Sequence, residues 1–199
     1  MLRYGFFLIV ILYYVRETFI LMENPKFVGV VVVDEISITS DLYFNATLLQ
    51  FEGFADHLCD LPQGNNDEQF QDLATNETPY ADHALVLMFR PFVGSWVQPI
   101  AVFSAKNAVP GAAMHKIIRE GIVLLEKAGA KVMAVVGDGA QTNKTMWRLF
   151  GLPGKNNQHF KNFIMNPMDP ERPIFFIWDP PHVFKRIRNN WFTHKVVPV

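Results

Sequence analysis

The chain has 199 residues, half of them hydrophobic and 14% aromatic, which supports the packed core of one domain or of a piece of a larger one and excludes disorder throughout. The formal net charge of −1 excludes a strongly basic protein whose whole surface attracts nucleic acid. The single cysteine, Cys59, excludes an internal disulfide and a cysteine-rich zinc site.

The N-terminal segment is apolar from Gly5 to Val15 and is followed by the charged pair Arg16-Glu17. This run is shorter than the about 20 residues that a membrane-spanning helix needs. It has the length of a signal-peptide core, but no clear small-x-small cleavage site follows it. Three interpretations stay open: a buried N-terminal helix, a signal peptide or membrane anchor, and a partner-binding segment.

The first strand is predicted from Phe27 to Val33, where β-branched residues predominate and both faces are apolar. Such a run is typical of a central strand that is covered on both faces. The run ends in Asp34-Glu35, and alternation of apolar residues continues as far as Ile38. A second strand is predicted between Tyr43 and Phe54.

A polar stretch follows between Ala55 and Asp82, with turn-forming residues concentrated from Gln63 to Gln69. It predicts a long surface loop or insertion. Two further strands are predicted, at His83 to Phe89 and at Trp96 to Phe103. Because short turns separate neighbouring strands, we expect an antiparallel meander of three strands.

An amphipathic helix is predicted next, because apolar residues from Met114 to Ala128 recur at three- and four-residue spacing. Pro110 suits its first turn and Gly129 suits its end. Four further elements are predicted, a strand, a short helix, a strand and a helix, at Lys131 to Val136, Asn143 to Phe150, Pro173 to Trp178 and Val183 to Phe192. This order predicts an α/β fold, with a mixed sheet and helices on its faces.

Two acidic residues follow buried strands in equivalent positions, Asp34 after four valines and Asp138 after Val-Met-Ala-Val-Val-Gly. If the two strands are neighbours, their backbones lie about 4.8 Å apart and the two carboxylates can face one cation. Such hard oxygen ligands favour Mg²⁺ or Mn²⁺, which serve phosphodiester chemistry. Acids at strand ends also bind a ribose or a phosphate-bound metal in other α/β enzymes, so spacing alone leaves the chemistry open.

The string Asp179-Pro-Pro-His182 predicts a rigid corner between the last strand and the last helix. We expect supporting roles here, with Asp179 as the helix N-cap and His182 in a core hydrogen bond. Asn143 is similarly expected to cap the short helix. The basic residues that follow the corner either contact phosphates or form a solvated helix face; they are Lys185, Arg186, Arg188, His194 and Lys195.

Four strings in this sequence resemble the P-element transposases, including their domesticated relatives with a THAP zinc finger. In the family's order, they are Val33 to Ile38, His83 to Arg90, Gly137 to Asn143 followed by Arg148 to Gly151, and Asp179 to Asn189. The resemblance implies an RNase H-like fold, incomplete in this chain, in which an antiparallel three-strand meander joins parallel strands. It predicts a partial transposase domain at residues 27–199, with 55–82 as a loop or insertion and residues 1–26 outside the core.

The resemblance also implies metal-dependent DNA cleavage and strand transfer by three carboxylates, with Asp34 and Asp138 as the first two and with Mg²⁺ or Mn²⁺ as the cofactor. The family's third acid is a glutamate beyond an inserted GTP-binding domain, and this sequence reaches Val199 before either. The family's zinc finger is absent from this sequence as well. The resemblance implies transposon-end DNA as the partner and a nuclear localisation. Because the third acid is missing from this sequence, we expect no useful activity of this chain alone.

Two alternatives of other classes remain. In the first, the chain is a non-catalytic DNA- or protein-binding relic of a domesticated transposon. In the second, it is a membrane-anchored or secreted protein, an interpretation that rests on residues 5–15 alone. A homo-oligomer is compatible with each interpretation, and no small-molecule substrate is evident from the sequence.

Overall fold

The computed structural model describes residues 27–47, 49–56, 79–152 and 161–194. The apolar N-terminal segment, most of the stretch between 55 and 82, and Lys195 lie outside the described residues. The described elements are, in chain order, β1 Val28–Ser37, β2 Tyr43–Asn45, β3 Gln50–Glu52, β4 His83–Pro91, β5 Gln98–Ala105, α1 Gly111–Lys127, β6 Lys131–Gly137, α2 Gln141–Leu149, β7 Phe163–Asn166, β8 Asp169–Trp178 and α3 Pro180–His194.

Six strands form one mixed sheet in the order β5-β4-β1-β6-β8-β7. β1 lies near the centre, antiparallel to β4 and parallel to β6. β8 is parallel to β6, and the edge strand β7 is antiparallel to β8. The predicted α/β fold, with an antiparallel three-strand unit joined to parallel strands, is thereby confirmed.

One face of the sheet carries the main core. Val31 and Val33 of β1 are buried there, while Val32 on the other face is half-buried. Phe89 of β4 and Phe176 of β8 belong to the same core. α1 contributes the apolar stripe that its sequence predicted: Met114, Ile117, Ile118, Ile122 and Leu125. Full burial of each such side chain contributes about 1.5–3 kcal/mol, so this face dominates the stability of the fold.

The opposite face of the sheet is more open. By strand register, Val102 of β5 and Phe175 and Ile177 of β8 lie on this face, and all three are exposed. In the described part of the chain, the β1 residues of this face are half-buried rather than enclosed. The expectation that the first strand is fully covered on both faces is therefore wrong for these residues.

A nearly buried ion pair fixes α1 against β8. Arg172 Nη2 lies 2.6 Å from Glu126 Oε2, and the two side chains are only 15% and 8% exposed. Glu126 Oε1 also accepts hydrogen bonds from Asn166 Nδ2 and from the backbone N–H of Val132. The hydrogen bond to Glu126 raises the pKa of Arg172 above its ordinary value, because it stabilises the charged guanidinium.

Two predicted elements differ from the structure. The strand expected between Tyr43 and Phe54 is instead the hairpin of β2 and β3, a separate two-stranded sheet. Its turn contains Leu49 at φ 51°, and the ring centroids of Phe44 and Phe51 lie 5.1 Å apart with their planes tilted by 58°. β8 begins at Asp169, upstream of the predicted start at Pro173. The strand tolerates this proline because it lies in the part that pairs only with β7.

Among the helices of the described residues, we find none with the length and apolarity needed to span a bilayer.

Candidate functional site

Three aspartates follow one another across the carboxyl-end edge of the parallel strands. The register aligns three neighbouring residues of β1, β6 and β8, namely Val32, Val136 and Ile177. An aspartate lies two residues after each of them in the sequence: Asp34, Asp138 and Asp179. The backbone N–H of Asp179 donates to the carbonyl of Gly137 at 2.8 Å, so β6 and β8 remain paired beyond the last strand residues.

Asp34 and Glu35 are adjacent acids whose side chains have different roles. Successive side chains of a strand point to opposite faces, so Asp34 lies on the face opposite α1 and Glu35 on the side of α1. Glu35 Oε1 accepts a hydrogen bond of 2.7 Å from the backbone N–H of Val109, just before that helix. Glu35 therefore holds a loop, whereas the Asp34 carboxylate accepts only the neighbouring N–H of Glu35 in the described part of the chain.

Asp138 lies in the turn between β6 and α2, and one of its oxygens is hydrogen-bonded twice. Oδ1 accepts from the backbone N–H of Ala140 at 2.9 Å and from the amide Nδ2 of Asn143. Asn143 lies inside α2 and is 5% exposed, and no side chain caps this helix. The prediction of Asn143 as a helix cap is therefore wrong. Its contact with Asp138 was missed, because a five-residue separation across a turn leaves no periodic signal.

Asp179 and His182 form a pair at the start of α3. His182 Nδ1 lies 2.6 Å from Asp179 Oδ2, and the histidine side chain is 49% exposed. The expected core hydrogen bond of His182 is therefore wrong, since the ring stands at the surface. Asp179 does precede the helix, and its carbonyl accepts from Val183 N–H at 3.1 Å, but its carboxylate contacts the histidine instead of capping the backbone.

α3 carries exposed basic and apolar side chains together. Lys185, Arg186 and Arg188 are exposed, as are Phe184, Ile187, Trp191 and Phe192. Arg186 reaches back to the turn that follows Asp138: its Nη1 lies 3.1 Å from the point where a Cβ on Gly139 would be. Because Gly139 has no side chain, the Arg186 guanidinium fits beside the turn that follows Asp138.

The donor set at this edge fits a hard divalent cation in part. Asp34 within β1 and Asp138 directly after the neighbouring β6 carry carboxylate oxygens, and in the described residues no hydrogen bond reaches Asp138 Oδ2. Within those same residues, no group of three or more His, Cys, Asp or Glu side chains is placed to hold one ion. The arrangement therefore provides two candidate ligands for such a cation, on neighbouring strands.

Comparison with known proteins shows which family the chain resembles. The family model for the TNP-like, RNase H N-terminal domain matches residues 7–151. The transposable element P transposase of Drosophila melanogaster is 26% identical over 111 residues, 56% of this chain and 13% of that protein. The human DNA transposase THAP9 is 27% identical over 127 residues, 64% of this chain and 14% of that protein.

A solved structure shows the same fold. The Drosophila P element transposase strand transfer complex contains a chain that superposes with a TM-score of 0.58 at 17% identity, over 90% of this chain and 36% of that one. The expected resemblance to P-element transposases and the expected RNase H-like fold are both confirmed. The match covers only small parts of the two curated relatives, 13% and 14% of their lengths.

Proposed function

Because the chain belongs to the family of TNP-like RNase H N-terminal domains, we propose that it forms part of a catalytic domain for metal-dependent DNA cleavage and strand transfer. The observation that supports this proposal is the register of β1 and β6, which pairs Val32 with Val136, each two residues before an aspartate, Asp34 or Asp138. The substrate is DNA at transposon ends, and the place of action is the nucleus. The catalytic unit consists of residues 27–199, with residues 1–26 outside it.

Asp34 and Asp138 would hold Mg²⁺ or Mn²⁺ through their carboxylates. Such ions, when bound, generate a nucleophile and stabilise the leaving oxygen of a phosphodiester. The contribution of the chain is to hold the two carboxylates in place: Asp34 by the central strand β1, and Asp138 by two hydrogen bonds to one of its oxygens. Rigid elements keep such groups near their productive geometry better than loops do.

In the described residues, the two candidates for a third acid already have other contacts. Glu35 is engaged with the loop before α1 on the other side of the sheet, and Asp179 is engaged with His182. We therefore propose that this chain alone binds Mg²⁺ or Mn²⁺ weakly and cuts DNA at no useful rate. Two carboxylates fix too few ligands, since Mg²⁺ gives up its water reluctantly.

The exposed cations of α3 would contact the DNA backbone. Lys185, Arg186 and Arg188 lie on the helix that starts at the aspartate edge, and Arg186 reaches the turn after Asp138. Such contacts to phosphate are independent of sequence and weaken as salt concentration rises. These phosphate contacts would hold a DNA strand near the carboxylates, whereas recognition of a particular transposon end requires contacts to bases.

A second candidate function is a non-catalytic relic that binds DNA or protein. Two observations favour it: no cluster of three ligands is found among the described residues, and α3 exposes apolar side chains beside its cations. The two functions make different predictions about residues at the aspartate edge. Replacement of Asp34 and Asp138 removes metal binding if the catalytic proposal holds, but leaves DNA binding by α3 intact in either case.

A Mn²⁺ titration together with a nicking assay on supercoiled DNA with Mn²⁺ tests the proposal, with the chain compared with an Asp34→Ala, Asp138→Ala double variant. We expect Mn²⁺ binding that the double variant loses and no cleavage by either protein. Equal Mn²⁺ binding by both proteins would refute the two-aspartate site. Cleavage by the parent that the double variant loses would show instead that another acid completes the site, with Asp179 next in register.

A further inference from the structure

We propose that Asn143 is a positioning residue that orients the Asp138 carboxylate towards a divalent cation. This inference rests on the proposed function and deepens it, because it assigns a role to a side chain that would not itself touch the ion. The contact that carries it is the hydrogen bond from Asn143 Nδ2 to Asp138 Oδ1.

The hydrogen bonds to Asp138 fall on one oxygen only. Asn143 Nδ2 and the backbone N–H of Ala140 both donate to Oδ1, so two donors from different elements fix the plane of the carboxylate. In the described part of the chain Oδ2 accepts no hydrogen bond. A carboxylate that is held through one oxygen presents the other in a defined direction, which is how neighbouring groups orient metal ligands in proteins.

The burial of Asn143 is costly unless the amide has a function. The side chain is 5% exposed on the inner face of α2, one turn before the fully buried Met146. Its Oδ1 is buried and has no hydrogen-bond partner in the described residues. A buried polar atom without a partner costs about 1–3 kcal/mol, and leucine has the same side-chain branching without that cost. Stability alone therefore favours an apolar residue here.

Gly137 is part of the same arrangement. A Cβ at this last residue of β6 would lie 3.0 Å from Asn143 Oδ1, closer than ordinary van der Waals contact. The glycine thus leaves the space that the amide occupies. Within seven residues the chain provides the space at Gly137, the carboxylate at Asp138 and the orienting amide at Asn143.

The molecule contains a matched control for this contact. Asn166 is also buried, at 1% exposure, and its Nδ2 donates to a carboxylate oxygen of Glu126, away from the aspartate edge. Replacement of either asparagine by leucine removes one amide–carboxylate hydrogen bond from the interior. Only the Asn143 replacement should change the affinity for a cation.

The test is a titration of the 199-residue chain with Mn²⁺, followed by electron paramagnetic resonance of the free ion, for the parent and the Asn143→Leu, Asn166→Leu and Asp138→Ala variants. Loss of an orienting contact lowers metal affinity about 10–100-fold. We expect that loss in Asn143→Leu with a melting temperature at or above that of the parent. Asn166→Leu should bind Mn²⁺ as the parent does, even if it melts earlier.

Two further variants keep the test decisive if Asn143→Leu does not fold. Asn143→Ala removes the same donor with less bulk, and Gly137→Ala displaces the amide without changing it, so both should lose Mn²⁺ affinity in the same direction. Affinity within twofold of the parent in the folded Asn143 variants would overturn this inference alone. Failure of the parent to bind Mn²⁺, or equal binding by Asp138→Ala, would overturn the proposed function and this inference with it.

Discussion

The indole rings of Trp147 and Trp178 stack on each other, with ring centroids 3.9 Å apart and planes inclined by 19°. Trp147 belongs to α2, and Trp178 is the last residue of β8, directly before Asp179. Trp147 also meets the edge of Phe176, at 5.8 Å. The stack therefore joins the helix that carries Asn143 to the strand end that carries Asp179.

Replacement of Trp147 by alanine should destabilise the chain by about 3 kcal/mol, because it removes a large ring from a partly buried aromatic cluster. Trp147→Phe retains one ring contact and should cost less. Urea unfolding followed by tryptophan fluorescence measures both. A loss below about 0.5 kcal/mol for the alanine variant, the range of ordinary surface changes, would show that the stack contributes little.

Replacement of Glu126 by alanine should be among the most destabilising changes in the chain, at about 3–5 kcal/mol. It leaves Arg172 as a nearly buried charge with fewer partners, and it removes an acceptor from Asn166 and from Val132 N–H. The Glu126→Leu, Arg172→Met double variant removes both charges and should be more stable than Glu126→Ala. Thermal and urea unfolding would rank the variants, and the reverse ranking would contradict the ion pair's role.

Asp82 should stabilise the fold at neutral pH and lose this effect in acid. Hydrogen bonds from His83, from Lys106 and from the N–H of Asn107 hold the pKa of its carboxyl well below its ordinary value of 3.8. A lowered folded-state pKa contributes stability above the unfolded value, and that contribution fades as pH falls below about 3.8. Asp82→Asn should therefore unfold more easily than the parent at about pH 7, with a difference that narrows towards about pH 3. A difference independent of pH in urea unfolding would refute the charge-based explanation.

Deletion of residues 1–24 should leave the melting transition largely intact, because the four strings that resemble the family lie between Val33 and Asn189 and the first described strand starts at Val28. The family match starts at residue 7, within the apolar segment, which makes the experiment informative. Calorimetry of the deleted and full chains gives the answer. A large drop in melting temperature would show that the segment packs as part of the core.

Replacement of Lys185, Arg186 and Arg188 by alanine should weaken DNA binding equally for unrelated sequences. Each lost phosphate contact lowers the steepness of log affinity against log salt by about 0.9 for duplex DNA. Fluorescence anisotropy with two unrelated duplexes at several salt concentrations tests this. Lys127→Ala, which removes an exposed lysine of α1, serves as the control. An unchanged slope in the triple variant would place the DNA elsewhere.

Local patterns in the sequence were sufficient for much of this fold. The valine run before Asp34 and the apolar stripe of α1 are periodic signals, and each predicted the right element. Pairing is not local, so the hairpin of Tyr43–Asn45 and Gln50–Glu52 could not be separated from the main sheet. The four-residue strand Phe163–Asn166 was missed because it is short and depends on β8 for its pairing.

The site follows the same division. Asp34 and Asp138 were predicted as site residues because each follows an apolar, valine-rich run, whereas the contact of Asn143 with Asp138 depends on where α2 begins. The surface position of His182 could not be predicted from the sequence either, because a histidine beside two prolines is compatible with a buried and with an exposed corner.

The strand order has a consequence for how the chain folds. Val31 of β1 pairs with Phe89 on one side and with Val135 on the other, so the parallel partner arrives only after β4, β5 and α1 have been made. Pairing between distant segments slows folding, because the entropy lost on closing the intervening loop opposes the pairing before its contacts form. We therefore expect the pairing of β1 with β6, which precedes Asp34 and Asp138, to form late. A nascent or truncated chain that ends before β6 would present one edge of a valine-rich strand without its partner, and such edges promote aggregation.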